Sequence, residues 1–423
     1  MWYLGPSETM RIAFIVDTFP TLTETFIINQ VAGLLEAGHD VQVFAAHADV
    51  AFQGHPAVER YRLMERVHSW ECRLAKLPRV CRIARLLPVS FLRGPLRVID
   101  SLNVFNQGAT ARSPGWFHYL RAFRGRTFDV IHCHFGWNGV LGCMLKQMGV
   151  SGKLVTTFYG RDISASPRQE KWRRAYQILF RDGDLFLVEG SHMRQCLVNL
   201  GCPMEKVRIQ HIMVDINNLP FIRRGPKGAT DEVVLLHCGR FVEKKGLIYA
   251  IQALEMLLPR YPRLTLRVIG DGPLMPTIRE YVHARDLDGH VTFLGYQAHD
   301  IFVQECLRAD IMLQPSVTAA DGDSEGGAPT VLIEAQATGL PVVATYHADI
   351  PEVVVDGRSG LLAGERDVDD LAQKVEQLVR RPELCADMGC FGRRHVSTNH
   401  AVSSEVSRLE ACYRLTTDAT EGM

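Results

Sequence analysis

Strand-like and helix-like segments alternate along this chain of 423 residues, and the alternation forms two separate series. Short apolar runs indicate buried strands, and longer amphipathic stretches indicate helices. Parallel strands need crossover connections, which are usually helices, so this rhythm is typical of parallel sheets. The predicted strands are Arg11–Val16, Asp40–Ala45, Phe128–His132, Lys153–Phe158, Asp184–Val188, Val233–Cys238, Leu264–Ile269, His290–Leu294 and Ile311–Leu313. The helical patterns between them include Glu24–Ala37, Val140–Met148, Glu170–Phe180, Leu247–Leu258 and Pro273–Ala284.

The two series are separated by residues 221–230, a stretch rich in Arg, Gly, Pro and Lys that we interpret as a linker. The chain is also longer than one hydrophobic core usually supports, which independently favours two domains. The sequence therefore predicts an α/β fold with two Rossmann-like domains facing across a cleft. Ligands in such sheets bind beside the carboxyl ends of the strands, so the loops there are the candidates for chemistry.

The composition argues against several classes of protein. The 47 basic and 47 acidic residues cancel, so no overall charge attracts nucleic acid, and no such partner is expected. The 11 cysteines include no Cys-x2-Cys pair, which argues against a zinc ribbon and suits reduced thiols in a cytoplasm. No run reaches the roughly 18 apolar residues of a membrane-spanning helix, so a cytoplasmic protein is expected.

A basic segment at residues 60–97 interrupts the alternation, with ten Arg and Lys side chains interleaved with apolar ones. A basic amphipathic helix can lie on an anionic membrane, which would make this segment a peripheral contact at the inner face of the plasma membrane. A pair of ordinary surface helices with solvated arginines explains the pattern slightly more simply. Both interpretations stay open.

The most informative stretch is Leu313–Leu362, in which a loop leads into an apolar helix after Pro329. Its paired glycines, Gly326 and Gly327, let a ligand approach the backbone closely. The start of the helix presents unpaired N–H groups and a partial positive charge, which together form a ready diphosphate site. Two carboxylates, Glu325 and Glu334, flank this start and suit the hydroxyl groups of a sugar or a ribose.

Two further loops belong to the second series. Gly239–Gly246 carries Arg240 and Lys245, whose charges can neutralise a diphosphate leaving group. Gly270 and Gly272 lie on either side of an aspartate in the next loop, a common turn that is weak evidence by itself.

These loops, with the segment Leu294–Tyr296 and in this order, resemble those of the retaining GT-B glycosyltransferases of family 4. Phe19–Ile27, His132–Gly136 and Thr157–Ser164 resemble the subgroup of bacterial exopolysaccharide enzymes that includes colanic-acid biosynthesis transferases. Only residues 46–125 fall outside the resemblance. It implies a hexosyltransferase that moves a hexose from a UDP- or GDP-sugar to a sugar or lipid-linked oligosaccharide acceptor in cell-surface polysaccharide biosynthesis. It also implies that no metal or other cofactor is needed.

The resemblance implies a role for each part of the chain. Residues 1–218 would form the acceptor domain, and residues 226–399 would bind the nucleotide sugar. A C-terminal helix within residues 400–423 would pack back on the first domain.

Matching positions imply the residues of the site. The catalytic candidates are Arg240 and Lys245, which would stabilise the departing diphosphate, and Glu325, which would contact the transferred sugar. Glu334 would hold the ribose hydroxyls, and Leu294 would lie near the base. The other residues implied in nucleotide-sugar binding are Gly239, Gly270, Gly272, Tyr296, Ser316, Gly326, Gly327, Ala328, Pro329 and Thr330. Those implied on the cleft and acceptor side are Thr21, Glu24, His134, Tyr159, Gly160 and Asp162.

Three positions depart from the family pattern. The family has seven residues between the two glutamates, and this chain has one more between Glu325 and Glu334, so a bulge must precede the helix if both carboxylates are to reach the site. Tyr159 stands where many relatives have histidine, and tyrosine is a poor base because its reference pKa is about 10. Met213 replaces a glycine near the domain junction, where it stiffens or redirects the turn.

Several residues also have plainer explanations. We interpret Asp321 and Asp323 as turn formers rather than a metal-binding pair. His132 and His134 fall on one face of their strand and are expected to line the cleft. Lys244 is expected to be solvated.

The sequence leaves two other functions open, a GT-B sugar-nucleotide epimerase and a binding protein with a degenerate site.

Glu24 also has two explanations of equal weight. It either contacts a ligand or serves as an acid at the start of a helix.

Overall fold

The computed structural model describes residues 9–21, 24–50, 52, 55–69, 122–123, 125–225 and 232–417, and it contains two parallel sheets. The strands of the first sheet are β1 (Arg11–Phe19), β2 (Asp40–Ala48), β3 (Val67–Ser69), β4 (Val130–His134), β5 (Lys153–Thr157), β6 (Leu185–Val188) and β7 (Val207–Ile209). The strands of the second sheet are β8 (Val233–Cys238), β9 (Leu264–Ile269), β10 (Val291–Gly295), β11 (Ile311–Gln314), β12 (Val342–Thr345) and β13 (Gly360–Ala363).

Helices connect the strands in both halves of the chain. The described helices are α1 (Thr25–Glu36), α2 (Pro56–Arg60), α3 (Gly136–Gln147), α4 (Arg161–Ser164), α5 (Glu170–Asp182), α6 (Ser191–Asn199), α7 (Leu247–Leu257), α8 (Met275–Ala284), α9 (His299–Arg308), α10 (Thr330–Ala337), α11 (Ile350–Val353), α12 (Val368–Arg380), α13 (Pro382–Asn399) and α14 (Val402–Thr417).

Each sheet has the strand order of a doubly wound fold. The first runs β3-β2-β1-β4-β5-β6-β7 and the second runs β10-β9-β8-β11-β12-β13. The order reverses between β1 and β4 in the first sheet, and between β8 and β11 in the second. Such a reversal leaves a crevice at the carboxyl ends of the two strands, where ligands bind in open α/β sheets. This confirms the predicted α/β architecture.

The strands consist of runs of apolar residues because the sheets are covered on both faces. All residues of β4, β6 and β12 are buried, for example. The predicted position of β4 was wrong by two residues, since pairing with β1 begins only at Val130, opposite Ile12. Phe128 instead packs edge-on against Phe44, with ring centroids 5.7 Å apart.

The last helix returns to the first half of the molecule. Helix α14 packs on α1, where a Cβ on Gly33 would lie 2.5 Å from a methyl of Val406, so glycine is needed for the close approach. The chain crosses between the two halves twice, first near Val214 and again near His400, just before α14. The two crossings are adjacent, because the Val214 N–H donates to the His400 carbonyl at 2.8 Å. Val214 and Ala401 form a parallel bridge there.

The described part of the predicted linker, residues 221–225, packs on the second half of the molecule rather than lying free. The Ile222 N–H donates to the Thr338 carbonyl at 3.0 Å. The buried Arg224 guanidinium donates to the carbonyls of Cys306 and Ala309, at 2.5 and 3.2 Å.

Most of the predicted basic segment lies outside the described residues, which cover only 60–69 of it. Within this part, Arg66 lies 3.3 Å from Asp40. Among the helices that the structure describes, none is both long and apolar enough to cross a membrane.

Candidate active site between the two sheets

The loops after β8 and β11 meet at the crevice of the second sheet. Gly246 has a left-handed φ of 66°, and a Cβ there would lie 1.8 Å from the Pro315 carbonyl oxygen, so only glycine lets the loops touch. The loop with Gly270 and Gly272 lies alongside. The Gly239 N–H donates to the Ile269 carbonyl at 3.0 Å at this junction.

An ion pair between Lys245 and Glu325 lies at the centre of this crevice. Lys245 Nζ is 2.8 Å from Glu325 Oε2, and the Ser316 hydroxyl donates to Glu325 Oε1 at 2.7 Å. The two side chains of the pair are only 15% and 6% exposed. The Glu325 N–H donates to His347 Nε2 at 3.1 Å, and His347 Nδ1 lies 2.6 Å from Glu365. A neutral His347 with its proton on Nδ1 satisfies both contacts.

The charges around Glu325 keep it ionised. Burial by itself raises the pKa of the Glu325 carboxyl, but the ammonium groups of Lys245 and Lys244 outweigh it and hold that pKa below its ordinary value. Arg240, in the same loop as the lysines, is exposed to solvent. The crevice therefore combines a largely buried lysine side chain with an accessible arginine, a pair of cations suited to a diphosphate.

The prediction that Lys244 is solvated was wrong. Its side chain is 7% exposed, and Nζ lies 3.1 Å from Asp323 Oδ1 and 2.8 Å from the Ser324 carbonyl. The carboxylate of Asp321 accepts a hydrogen bond from the Asp323 N–H at 2.9 Å, as a turn former does. Within the described ranges, no three His, Cys, Asp or Glu residues are grouped as metal ligands would be.

The additional residue before α10 is accommodated in a turn. Gly326 has a left-handed φ of 78°, and a Cβ there would lie 2.5 Å from the Tyr159 carbonyl of the first domain. Gly327 packs against the Glu189 carboxyl, which also accepts a hydrogen bond from the Ala328 N–H at 3.3 Å.

Helix α10 then begins at Thr330 without a side-chain cap from Pro329. Its first N–H groups have no partner within the helix, which suits an anion at this end.

The second glutamate lies on α10. Glu334 is buried, and its Oε1 lies 2.8 Å from His299 Nε2. This hydrogen bond raises the pKa of His299 above its ordinary value. Leu294 is half-buried near the end of β10, whereas Tyr296 is 63% exposed, with its hydroxyl 3.5 Å from the Asp271 carbonyl.

Glu24 faces this site from the first domain. Its backbone precedes α1, but its side chain makes no capping hydrogen bond, which argues against the explanation that it serves the helix. Burial and the neighbouring Asp17 carboxylate raise the pKa of Glu24 to about 7, while Arg240 of the second domain acts in the opposite direction. Thr21 lies in the same turn, where its carbonyl accepts the Glu24 N–H at 3.4 Å.

His132 and His134 lie on one face of β4, as predicted, but both are wholly buried and do not line an open cleft. His132 contacts the hydroxyls of Tyr413 and Thr157, each at 2.7 Å. His134 Nδ1 lies 2.8 Å from the hydroxyl of Tyr159. The Tyr159 ring is therefore turned into the first domain rather than towards a ligand, and burial raises the pKa of its hydroxyl well above the ordinary value.

Asp162 is also buried, and it organises its own loop. Its carboxylate accepts the N–H groups of Gly136 and Tyr159, at 2.8 and 3.0 Å, and burial raises its pKa to about 6. The loop it holds touches the second domain, since a Cβ on Gly160 would lie 2.5 Å from the Glu325 carbonyl.

A second contact between the domains lies at the start of α6. Asp349 of the second domain accepts the N–H groups of His192 and Met193, at 2.7 and 3.2 Å, and Glu352 accepts that of Ser191 at 2.9 Å. These carboxylates satisfy the unpaired N–H groups of a helix that belongs to the first domain.

Sequence reasoning missed these two acids, together with Glu189, His299 and His347. No local pattern marks them, because each has its partner far away in the chain.

Two family models together match most of the chain. The model for Glycosyl transferases group 1 matches residues 220–395, and that for Glycosyltransferase Family 4 matches residues 23–218.

Curated relatives are similar over nearly the full length. The colanic acid biosynthesis glycosyltransferase WcaL of Salmonella typhimurium is 32% identical over 88% of this chain and 91% of its own. The amylovoran biosynthesis glycosyltransferase AmsK of Erwinia amylovora is 32% identical over 86% of this chain and 89% of its own.

Among solved structures, HepE of Anabaena in complex with UDP-glucose superposes with a TM-score of 0.68. It is 18% identical, and the match covers 95% of this chain and 99% of HepE. This likeness supports the GT-B arrangement of the fold.

Proposed function

Because this chain belongs to the glycosyltransferases of group 1 and family 4 and is a hexosyltransferase, we propose that it takes its hexose from a UDP- or GDP-sugar bound at the crevice of the second sheet. The observation that carries the proposal is the convergence there of Lys245, Arg240 and the uncapped start of α10. All three are suited to an anion, and they come from loops on either side of the point where the strand order reverses.

The proposed roles follow from the geometry of the crevice. Arg240 and Lys245 stabilise the negative charge that grows on the diphosphate as the glycosidic bond breaks. The ion pair with Lys245 positions the Glu325 carboxylate beside the diphosphate site, where Glu325 contacts the transferred sugar. Glu334, buried beside His299, accepts hydrogen bonds from the ribose hydroxyls. The base stacks near Leu294.

The reaction proposed is transfer with retention of configuration. The bond from the anomeric carbon to the diphosphate oxygen breaks, and the acceptor hydroxyl forms the new bond on the same face. The proton of that hydroxyl passes to the departing diphosphate. Two protein cations supply the neutralisation in this scheme, so we propose that no metal cofactor is required.

The pathway proposed is cell-surface polysaccharide biosynthesis, with a sugar or lipid-linked oligosaccharide as acceptor. The names of WcaL and AmsK, both polysaccharide biosynthesis enzymes, support this. In this scheme residues 1–218 bind the acceptor and residues 226–399 bind the donor. Contact with anionic lipid at the inner face of the plasma membrane, through residues 60–97, is part of the same proposal.

Thermal unfolding with UDP, GDP, ADP and their common hexose conjugates tests the donor. A ligand at 100 times its Kd stabilises the native state by about 2.7 kcal/mol, which raises Tm by about 5–11 °C for a domain of this size. We expect a UDP or GDP compound to produce this shift.

The Arg240→Ala variant should lose most of the shift and most of the sugar transfer. Arg285→Ala, which removes an exposed arginine of the same domain, should keep both. A flat response to every nucleotide, or full transfer by Arg240→Ala, contradicts the proposal.

A further inference from the structure

The first sheet has its own crevice, which the proposed donor site does not use. Its strand order reverses between β1 and β4, so ligand-binding residues are expected at the carboxyl ends of those two strands. Asp17 lies near the end of β1, and Phe135 and Trp137 directly follow β4. None of these three side chains is fully buried.

Phe135 and Trp137 form an aromatic platform at this point. Their rings are parallel within 2°, with centroids 4.9 Å apart. Phe135 has a φ of 72°, which is rare for a residue with a side chain and costs about 1–3 kcal/mol of backbone strain. Tyr159 also contacts Phe135, at 4.8 Å between ring centroids. Phe135 thus contacts two rings, and both rings of the platform are half-buried.

Two carboxylates border the platform. The Trp137 indole N–H donates to Asp17 Oδ2 at 2.6 Å, which fixes both side chains relative to each other. Asp17 is close enough to Glu24 to raise the pKa of Glu24, on which Arg240 of the second domain acts in the opposite direction. The platform is therefore connected, through neighbouring side chains, to the cleft where the donor site opens.

From this arrangement, which rests on the proposed function, we infer that a neutral sugar ring of the acceptor binds on Trp137 and donates hydroxyl hydrogen bonds to Asp17 and Glu24. A pyranose has an apolar face of C–H groups that packs on an aromatic ring, and hydroxyl donors at its edge. The carboxyl oxygens of Asp17 and Glu24 accept hydrogen bonds from such donors. The charge of Asp17, and that of Glu24 in its ionised form, also repels a phosphate or a uronic acid, so a neutral sugar is the class that fits.

The test separates acceptor binding from donor binding. Octyl β-glucoside is the neutral probe and octyl β-glucuronide is the acidic one. The enzyme is supplied with whichever nucleotide sugar gives the largest thermal shift. We expect Asp17→Asn and Trp137→Leu to raise KM for octyl β-glucoside by about ten- to a hundredfold. Their thermal shift with the nucleotide should stay within 1 °C or so of the wild-type shift.

A matched control is Trp172→Phe, which changes a half-buried tryptophan on α5. The Trp172 ring contacts the ammonium group of Lys171 and does not belong to the crevice. It should keep the wild-type KM for the glucoside. Trp137→Phe keeps an aromatic ring but loses the N–H that binds Asp17, and it should raise KM less than Trp137→Leu does. It replaces the leucine variant if that one does not fold.

A second readout does not depend on the donor. Octyl β-glucoside should change the tryptophan fluorescence of the wild type and of Trp172→Phe, but not of Trp137→Phe, and the glucuronide should bind less tightly. If no nucleotide shifts Tm, the donor proposal is overturned but the acceptor proposal is not. The fluorescence measurement then decides whether the acceptor sugar binds on Trp137. An unchanged KM in Asp17→Asn, or the same fluorescence response with and without Trp137, overturns the acceptor site.

Discussion

Replacing Lys245 with methionine is expected to destabilise the second domain through Glu325. The substitution keeps a side chain of similar length but removes the ammonium that lies 2.8 Å from Glu325 Oε2. The carboxylate stays 6% exposed and loses its nearest counter-charge. The Ser316 hydroxyl and the more distant Lys244 remain as partial compensation.

The expected loss follows from the burial of the pair. Breaking a buried ion pair from one side costs about 3–5 kcal/mol, and the compensation left around Glu325 places this case near 3 kcal/mol. A domain of 150–250 residues changes its Tm by about 2–4 °C per kcal/mol, so we expect Tm to fall by about 6–12 °C at pH 8. Lys374→Met removes a partly exposed pair with Asp370 and should cost about 0–1 kcal/mol.

The loss should shrink as the pH falls. In the wild type the lysines hold the pKa of Glu325 below its ordinary value. Without Lys245, burial raises that pKa above the unfolded value, so proton uptake stabilises the folded variant at acid pH and this stabilisation disappears as the pH rises through the raised pKa.

Differential scanning fluorimetry from pH 5 to pH 8 measures the trend. The double variant Lys245→Met with Glu325→Gln should recover part of the loss at pH 8. A Tm within 2 °C or so of the wild type at pH 8, or a deficit that does not vary with pH, refutes the reasoning.

Two further predictions concern the ribose contact and the contact between domains. Glu334→Gln should weaken binding of the effective ribonucleotide by about ten- to a hundredfold, yet bind its 2′,3′-dideoxy analogue as the wild type does, measured by calorimetry. Equal losses for both nucleotides contradict the ribose role. Gly326→Ala should separate the domains and increase the radius of gyration in X-ray scattering, because its methyl meets the Tyr159 carbonyl. The control is Gly357→Ala, because Gly357 has a similar φ of 72° but open space around it. This variant should suffer backbone strain without a change in the radius of gyration. The same radius of gyration for both variants counts against the contact between Gly326 and Tyr159.

Local pattern was enough to predict the sheets and the position of the donor loops. Buried parallel strands are apolar runs, and the loops at their carboxyl ends carry the polar and glycine residues that ligands require. The alternation along β4 likewise predicted that His132 and His134 share a face. It did not predict their burial, because the Tyr413 hydroxyl that contacts His132 comes from a helix 281 residues later.

The contents of the site were harder to predict for the same reason. The burial of Lys244 was not predicted because its partner, Asp323, is 79 residues away in the chain. His299 lies 35 residues from Glu334, and the acids Asp349 and Glu352 join the first domain only after the two sheets meet. Such pairings depend on tertiary structure, which no window of sequence contains.

The two connections between the halves of the molecule lie side by side, joined by the hydrogen bond from Val214 to His400 and the bridge from Val214 to Ala401. A single connection allows the two domains to bend and twist relative to each other in any direction. Two neighbouring connections joined by hydrogen bonds act as a hinge and favour rotation about one axis. We expect any opening of the cleft to follow this one rotation, which would bring the proposed donor and acceptor into the same relative orientation at each closure.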